Sequence, residues 1–242
     1  ISLTKQGNIM KNKVINIWDK YHHFLWSVIY MIVYLLWFAL IETRKFSRYT
    51  VIHTALDDKI PFIEIFVIPY IIWFFYVAWI VLYTGFTDRY DYYRVCAFLF
   101  TGMTIFLLIS TLWPNIHYLR PRIMPRDNIF CDMVSMIYRM DTSTNLWPSI
   151  HVYNSVGVYF AVMHSERLST KKWIKNTCLG ISISIILSTM FIKQHSTFDI
   201  MTAFVMAAVL YVLVYRTDII LNIRTRNLAK KKSKQHSYNR VK

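Results

Sequence analysis

Two short polar segments, each at the start of a long apolar run, carry the residues with the clearest capacity for chemistry. The first, residues 145–151, reads Asn-Leu-Trp-Pro-Ser-Ile-His, and the second, residues 193–199, reads Lys-Gln-His-Ser-Thr-Phe-Asp. Ionisable side chains are costly at membrane depth, so those found at the mouths of apolar helices are candidate functional residues. The candidates are His151, His195 and Asp199.

His195 and Asp199 are four residues apart, so they share one face if the chain is helical there. That spacing suits a carboxylate that fixes the tautomer of an imidazole, as in Ser-His-Asp sites. The alternative is a boundary histidine beside an aspartate that only caps a helix. Both interpretations remain open at this point.

The elements that must position these residues are apolar helices. Hydrophobic residues make up 55% of the 242 residues and charged residues only 17%. A helix needs about 20 apolar residues to cross a bilayer. The pattern predicts an all-α membrane helix bundle of six transmembrane helices, forming a single domain over 1–242, with spans at about 24–41, 62–83, 95–113, 150–164, 174–192 and 200–215. The fourth span is the weakest, because it is short and contains polar residues.

The distribution of charge orients this bundle. The formal net charge is +15, but 19 of the 28 lysines and arginines fall on the side that holds both termini and nine on the other. This bias predicts cytoplasmic termini and an active site at the outer, extracytoplasmic face, and it argues against nucleic acid as a partner. The basic tail, residues 217–242, is expected to be disordered and to lie against anionic inner-leaflet lipid.

The longest predicted loop, residues 114–147, contains several arginines. A guanidinium group matches the oxygens of a phosphate, so Arg120, Arg122 and Arg126 are candidate anion ligands. The alternative is a solvated loop beside the lipid headgroups. At the start of the fourth span, Ser149 and the backbone N–H groups around it would also face an anion.

Metal and disulfide chemistry are not indicated. The three cysteines do not form a disulfide framework, and no Cys/His spacing resembles a zinc site. No cofactor is expected.

Three motifs together resemble the signature of the type 2 phosphatidic acid phosphatase superfamily. Arg120-Pro121 corresponds to the first motif, 148–151 (Pro-Ser-Ile-His) to the second and 195–199 (His-Ser-Thr-Phe-Asp) to the third. The six-span layout and the outward placement of the motifs also match, so the resemblance covers most of the chain. It implies a membrane phosphatase or phosphotransferase that acts on lipid phosphates.

The chain departs from the family pattern at three positions. Ile150 replaces a glycine, Trp113 replaces a lysine and Thr189 replaces an arginine, while Ser188 is retained. Two of the usual phosphate-binding cations are therefore absent, and Lys193, Arg122 or Arg126 is the expected substitute. The same departures resemble the branch of inositol phosphorylceramide and sphingomyelin synthases, which pass a phospho-headgroup to an alcohol.

The resemblance also implies roles for the site residues. His195 would attack phosphorus and form a phosphohistidine, with Asp199 holding its ring. His151 would protonate the leaving oxygen and then activate the acceptor. Arg120 and Ser149 would hold the phosphoryl oxygens, without a metal.

The expected function is hydrolysis of a lipid phosphomonoester or diphosphate in the plasma membrane. The first alternative is a lipid phosphotransferase with an alcohol as acceptor. A second alternative is a non-enzymatic lipid-binding scaffold or transporter, which would be favoured if His151 and the His195–Asp199 pair lay too far apart to share one phosphate.

Overall fold

The computed structural model describes residues 18, 20–44 and 46–217. It is mostly helical. Seven α-helices follow one another along the described chain: α1 (His23–Thr43), α2 (Val67–Thr87), α3 (Arg89–Leu112), α4 (Ile129–Met140), α5 (Ile150–His164), α6 (Lys172–Phe191) and α7 (Thr197–Tyr211). A 3-10 turn at Glu64–Phe66 leads into α2, and a π-helical turn at Val212–Arg216 extends α7.

Five of these helices are long and apolar enough to cross a membrane: α1, α2 with its 3-10 turn, α3, α6 and α7 with its π-helical turn. The chain is therefore an integral membrane protein. The fourth span predicted from the sequence is present as α5, but it has 15 residues and falls below the usual length of a spanning helix.

Helix α5 lies at the centre of the bundle, where it packs against α2, α3, α6 and α7. Ser155 of this helix is hydrogen-bonded within the bundle. The Ser155 hydroxyl donates to the carbonyl of His151 at 2.7 Å, and the Ser182 hydroxyl of α6 donates to the carbonyl of Ser155 at 3.0 Å. A helix surrounded by other helices need not be apolar, which explains why its hydropathy signal is weak.

A close approach of α3 to α5 depends on Gly102. The ring of Tyr153 stacks on Phe98 at 4.7 Å, and its hydroxyl donates to the carbonyl of Phe98 at 2.7 Å. A Cβ added to Gly102 would overlap this fixed ring, whereas one added to Gly180 on α6 would meet nothing within 4 Å. Gly102 is therefore a packing requirement and Gly180 is not.

The loops at one end of the bundle are joined to one another. Two short strands, β1 (Thr50–Val51) and β2 (Asn115–Ile116), pair in parallel. The side-chain oxygen of Asn115 accepts the N–H groups of Leu146 and Trp147 at 2.9 and 3.2 Å. We call this end of the bundle the mouth, and it contains residues 44–66, 113–149 and 192–196.

The long mouth loop is only partly a loop. Residues 129–140 form α4, an amphipathic helix that Asn128 caps through a 3.0 Å hydrogen bond to the N–H of Cys131. Val134 of this helix packs on Val67 and Tyr70 of α2. The expectation of one continuous loop is wrong here, because α4 buries one face against the bundle instead of crossing the membrane.

At the opposite end, the connection between α2 and α3 is the single residue Asp88, whose side chain accepts the N–H groups of Tyr90 and Asp91. Arg89 and Arg94 therefore belong to α3 and not to a loop, so this span begins earlier than the sequence predicted. The predicted disordered tail, from residue 218 onward, lies outside the described residues.

Prediction for the α3–α5 contact. Gly102→Ala should lower the stability of the protein by about 1–3 kcal/mol, because the new methyl group overpacks a rigid aromatic pair. Thermal unfolding in detergent micelles measures this change. The matched control is Gly180→Ala, which should leave the midpoint unchanged or raise it, since alanine favours a helix over glycine. Equal midpoints for the two variants would contradict the packing argument.

Candidate active site at the mouth of the bundle

The start of α7 positions Asp199. Ser196 is the N-cap, and its backbone N–H donates to Asp199 Oδ2 at 3.0 Å, completing a capping box. The same oxygen lies 3.3 Å from Nδ1 of His195. Asp199 therefore both caps the helix and contacts the imidazole, so the two interpretations of this residue are compatible.

The turn that carries His195 is fixed by backbone hydrogen bonds to the end of α6. The N–H groups of Gln194 and His195 both donate to the carbonyl of Thr189, at 2.9 and 3.0 Å, and Lys193 adopts a positive φ of 53°. His195 is buried. Its burial, and then the nearby Arg120, lower the pKa of His195 to about 3, so the ring is neutral at neutral pH.

His151 lies in the first turn of α5, and its Nδ1 is 3.3 Å from Nε2 of His195. Its ring is packed against Tyr70 and Trp73 of α2, at centroid distances of 4.5 and 4.3 Å. The separation that would have favoured a non-enzymatic scaffold is therefore not found. Because the two nitrogens touch, a phosphoryl group can contact both only if one ring shifts.

Hydrogen bonding assigns the tautomers of this pair. A carboxylate at Asp199 accepts a hydrogen bond from Nδ1–H of His195, which leaves Nε2 with a lone pair. The contact with His151 then requires Nδ1–H of His151 as donor. The chain Asp199, His195, His151 thus presents a nucleophilic nitrogen next to a proton donor.

Arg120 lies against the same turn. Its guanidinium donates to the side-chain oxygen of Gln194, to the carbonyl of Thr142 at 2.7 Å and to the carbonyl of Tyr138 at 3.2 Å. It also stacks over the Tyr138 ring at 4.4 Å. These acceptors are neutral, so they orient the guanidinium without cancelling its positive charge.

Two carboxylates, Asp141 and Glu42, act on Arg120 electrostatically. Asp141 follows α4 and accepts a 3.0 Å hydrogen bond from the hydroxyl of Tyr70. Burial raises the pKa of Asp141 to about 6, although that hydrogen bond and Arg120 oppose the rise. Its charge therefore changes just below neutral pH.

The other predicted phosphate ligands are placed differently. Ser149 is the N-cap of α5, where its Oγ accepts the N–H of Val152, and it is buried beside the histidines. Arg126 pairs with Glu64, and Lys193 donates to the carbonyls of Asp57 and Ile60. Arg122 is exposed on the mouth surface. The side chains of Lys193 and Arg126 are thus bound elsewhere, which a count of cations along the sequence does not reveal.

The positions where the chain departs from the family pattern have structural roles. Thr189 supplies the carbonyl that holds the His195 turn. The Trp113 indole N–H donates to the hydroxyl of Thr50 at 2.6 Å, which joins α3 to the β1 loop. Neither residue carries a charge toward the histidines.

Several residues at the site were not singled out from the sequence. His117 donates from Nε2 to the carbonyl of Gln194 at 2.9 Å and accepts the N–H of Leu119 at Nδ1. Burial lowers the pKa of His117 to about 4, so it is a neutral support for the turn. Asp57, from the first mouth loop, bonds to the start of α7.

No group of three or more His, Cys, Asp or Glu side chains that could hold a metal ion occurs in the part of the chain that the structure describes. The three cysteines, Cys96, Cys131 and Cys178, are buried and free.

Comparison with known proteins gives one match. No curated protein and no solved structure matches the chain. Residues 125–219 match the family model of the PAP2 superfamily, whose members act on phosphate esters. The matched segment includes Ser149, His151, His195 and Asp199, and Arg120 lies just before it. The match covers the second and third motifs and is consistent with the resemblance to the type 2 phosphatidic acid phosphatase superfamily.

Proposed function

We propose that this protein is a membrane-embedded lipid phosphatase that hydrolyses a lipid phosphomonoester or diphosphate through a phosphohistidine. The observation that carries the proposal is the contact sequence from Asp199 to His195 to His151, with both distances at 3.3 Å. A nucleophilic nitrogen and a proton donor must lie within reach of one phosphate, and this arrangement satisfies that requirement.

In the first step, Nε2 of His195 attacks phosphorus and the bond from phosphorus to the lipid oxygen breaks. The leaving oxygen takes a proton from Nδ1 of His151, which acts in its imidazolium form and becomes neutral, so the lipid departs as an alcohol. The phosphorylated imidazole of His195 is stabilised by the carboxylate of Asp199 at its other nitrogen.

In the second step, a water attacks the phosphohistidine and His151 takes a proton from that water. The bond between phosphorus and His195 breaks, and inorganic phosphate leaves. Each histidine returns to its starting protonation state, so the cycle needs no external proton donor. Arg120 and the Ser149 hydroxyl would stabilise the charge on the phosphoryl oxygens.

The position of the site supports a lipid substrate and the expected membrane topology. The histidines lie at the mouth of an apolar bundle, where a headgroup can enter while its chains stay in lipid. We place six spans, including α5, in one domain in the plasma membrane, with both termini cytoplasmic and the mouth extracytoplasmic. The charge bias supports this orientation, and it would set the basic tail against anionic lipid.

The charge balance favours a second candidate, a lipid phosphotransferase. Arg126 is paired with Glu64, Lys193 is bound to carbonyls, and Asp141 and Glu42 act on Arg120. Such a site suits a phosphodiester with one negative charge better than a phosphomonoester with two. An alcohol would then replace water in the second step.

Prediction for the histidines. His195→Ala and His151→Ala should each reduce turnover by about 10²-fold or more, because one removes the nucleophile and the other the acid. Turnover is measured as phosphate release from phosphatidic acid or a prenyl diphosphate in lipid nanodiscs.

The matched control is His164→Ala at the other end of α5, where the ring contacts Tyr211. It should retain turnover. A folded His195→Ala variant with near-normal turnover would disprove the phosphohistidine mechanism.

Prediction for the acceptor. If water is the acceptor, added inositol, choline or ceramide should leave phosphate release unchanged. If an alcohol is the acceptor, a phospholipid donor should yield a new phospholipid in an alcohol-dependent manner, with little free phosphate. Thin-layer chromatography of labelled lipid separates these two outcomes, and His195→Ala should abolish either product.

Prediction for Asp141. Ionisation of this carboxyl, with a pKa of about 6, should weaken anion binding at Arg120 as the pH rises from 5 to 7. The inhibition constant of a dialkyl phosphate, whose single charge is constant over this range, should rise by about fivefold, equivalent to roughly 1 kcal/mol. Asp141→Asn should remove this dependence and bind the inhibitor as tightly at pH 7 as at pH 5.

Asp132→Asn is the control, since Asp132 lies on the exposed side of α4. It should keep the pH dependence of the unmodified protein. An Asp141→Asn variant with the same dependence would show that another group titrates.

A further inference from the structure

A carboxylate from the first mouth loop is buried at the start of α7. Asp57 is only 2% exposed. Its Oδ1 accepts the N–H and the hydroxyl of Thr197 at 2.8 and 2.9 Å, and its Oδ2 accepts the Ser196 hydroxyl at 2.6 Å and the N–H of Thr54 at 2.8 Å. Four donors therefore converge on one side chain.

Lys193 also forms hydrogen bonds to the same loop. Its ammonium group donates to the carbonyls of Asp57 and Ile60 at 2.8 and 2.5 Å. The hydroxyls of Thr54 and Thr197 are also 2.6 Å apart. We call this set of bonds, which joins residues 54–60 to residues 193–197, the loop clamp.

The loop clamp provides a hydrogen-bond acceptor for a backbone N–H group at the start of α7. The first N–H groups of a helix have no partner within it, and an anion there is also favoured by the helix dipole. Burial by itself would raise the pKa of Asp57, but the hydrogen bonds from Ser196, Thr197 and Thr54 outweigh it and hold the pKa below its usual value. The carboxylate is thus ionised and fully bonded.

The bonded residues adjoin the candidate catalytic residues. Ser196 and Thr197 lie between His195 and Asp199 in the sequence, and the orientation of both depends on where α7 begins. Among the described residues, the Asp57 carboxylate forms hydrogen bonds with Thr54, Ser196 and Thr197 and with neither imidazole.

We propose that Asp57 is a positioning residue, which, with Lys193, holds the His195–Asp199 pair in its reactive orientation through the loop clamp. This inference rests on the proposed function. It assigns a role to a loop that carries no recognisable motif, and it assigns Lys193 to the clamp and not to the phosphate.

The proposal predicts a specific kinetic effect. Asp57→Asn keeps the size of the side chain but replaces one acceptor oxygen with a donor, so at least one of the bonds to Ser196, Thr197 or Thr54 is lost. A displacement of about 1 Å at the reacting atoms can reduce turnover by about 10²-fold. We expect kcat to fall by about 10- to 100-fold with KM changed less than threefold, because the Arg120 contacts are untouched.

The experiment compares Asp57→Asn with Asp58→Asn in nanodiscs. Asp58 is the neighbouring carboxylate, with a side chain 66% exposed and paired only with His53 among the described ion pairs. Phosphate release gives kcat and KM, and hydrogen–deuterium exchange of the peptide covering 193–199 reports the clamp independently of activity. Lys193→Met is the second variant, since it opens the clamp while leaving Asp57 in place.

The expected result is faster exchange in 193–199 and a lower kcat for Asp57→Asn and Lys193→Met, with Asp58→Asn unchanged. Unchanged exchange in both variants would overturn the clamp. Faster exchange with an unchanged kcat would overturn the positioning role of the loop clamp. A raised KM in Lys193→Met with an unchanged kcat would indicate that Lys193 binds the phosphate instead. If the unmodified protein releases no phosphate from any ester, the proposed function fails, and the exchange data alone decide whether the clamp exists.

Discussion

The structure depends on how the first turn of α7 satisfies its buried backbone donors. Most helices solve this with one capping side chain. Here the solution involves two carboxylates, since Asp199 accepts the N–H of Ser196 and Asp57 accepts the N–H of Thr197. Because the Asp199 oxygen that caps the helix also contacts His195, the local requirement of a helix start sets the geometry of the site.

The central position of α5 affects both the residues that this helix can carry and the location of His151. A helix enclosed by four neighbours can carry serine and asparagine without exposing them to lipid, and its N-terminus opens directly beneath the His195 turn. His151 is then packed between aromatic rings of α2, which limits the orientations of its imidazole. Packing at Gly102 keeps α3 close enough for this enclosure.

One cation at the mouth, Arg120, is oriented mainly by neutral hydrogen-bond partners. Arg120 is held by carbonyls and an amide oxygen, while Asp141 and Glu42 act on it from a greater distance. Two other cations of this end have structural partners, since Arg126 is paired with Glu64 and Lys193 is bound to the Asp57 loop. Trp113 and Thr189 stand at the two positions where the family pattern has further cations.

The sequence by itself predicted the helical membrane architecture and the pairing of His195 with Asp199, because long apolar runs and an i, i+4 spacing are local properties. The grouping of this pair with His151, which lies 44 residues from His195 in the chain, was predicted from the PAP2 resemblance. The sequence did not reveal α4, whose amphipathic pattern lies within a polar stretch, or the roles of Asp57, Gln194 and Tyr70. Those roles arise from contacts between residues far apart in the chain, such as the bond from Asp57 to Thr197. Likewise, the sequence does not show which lysines and arginines already have partners in other loops, as Arg126 and Lys193 do. The tertiary structure decided this, because partners such as Glu64 for Arg126 meet only when the mouth loops fold together.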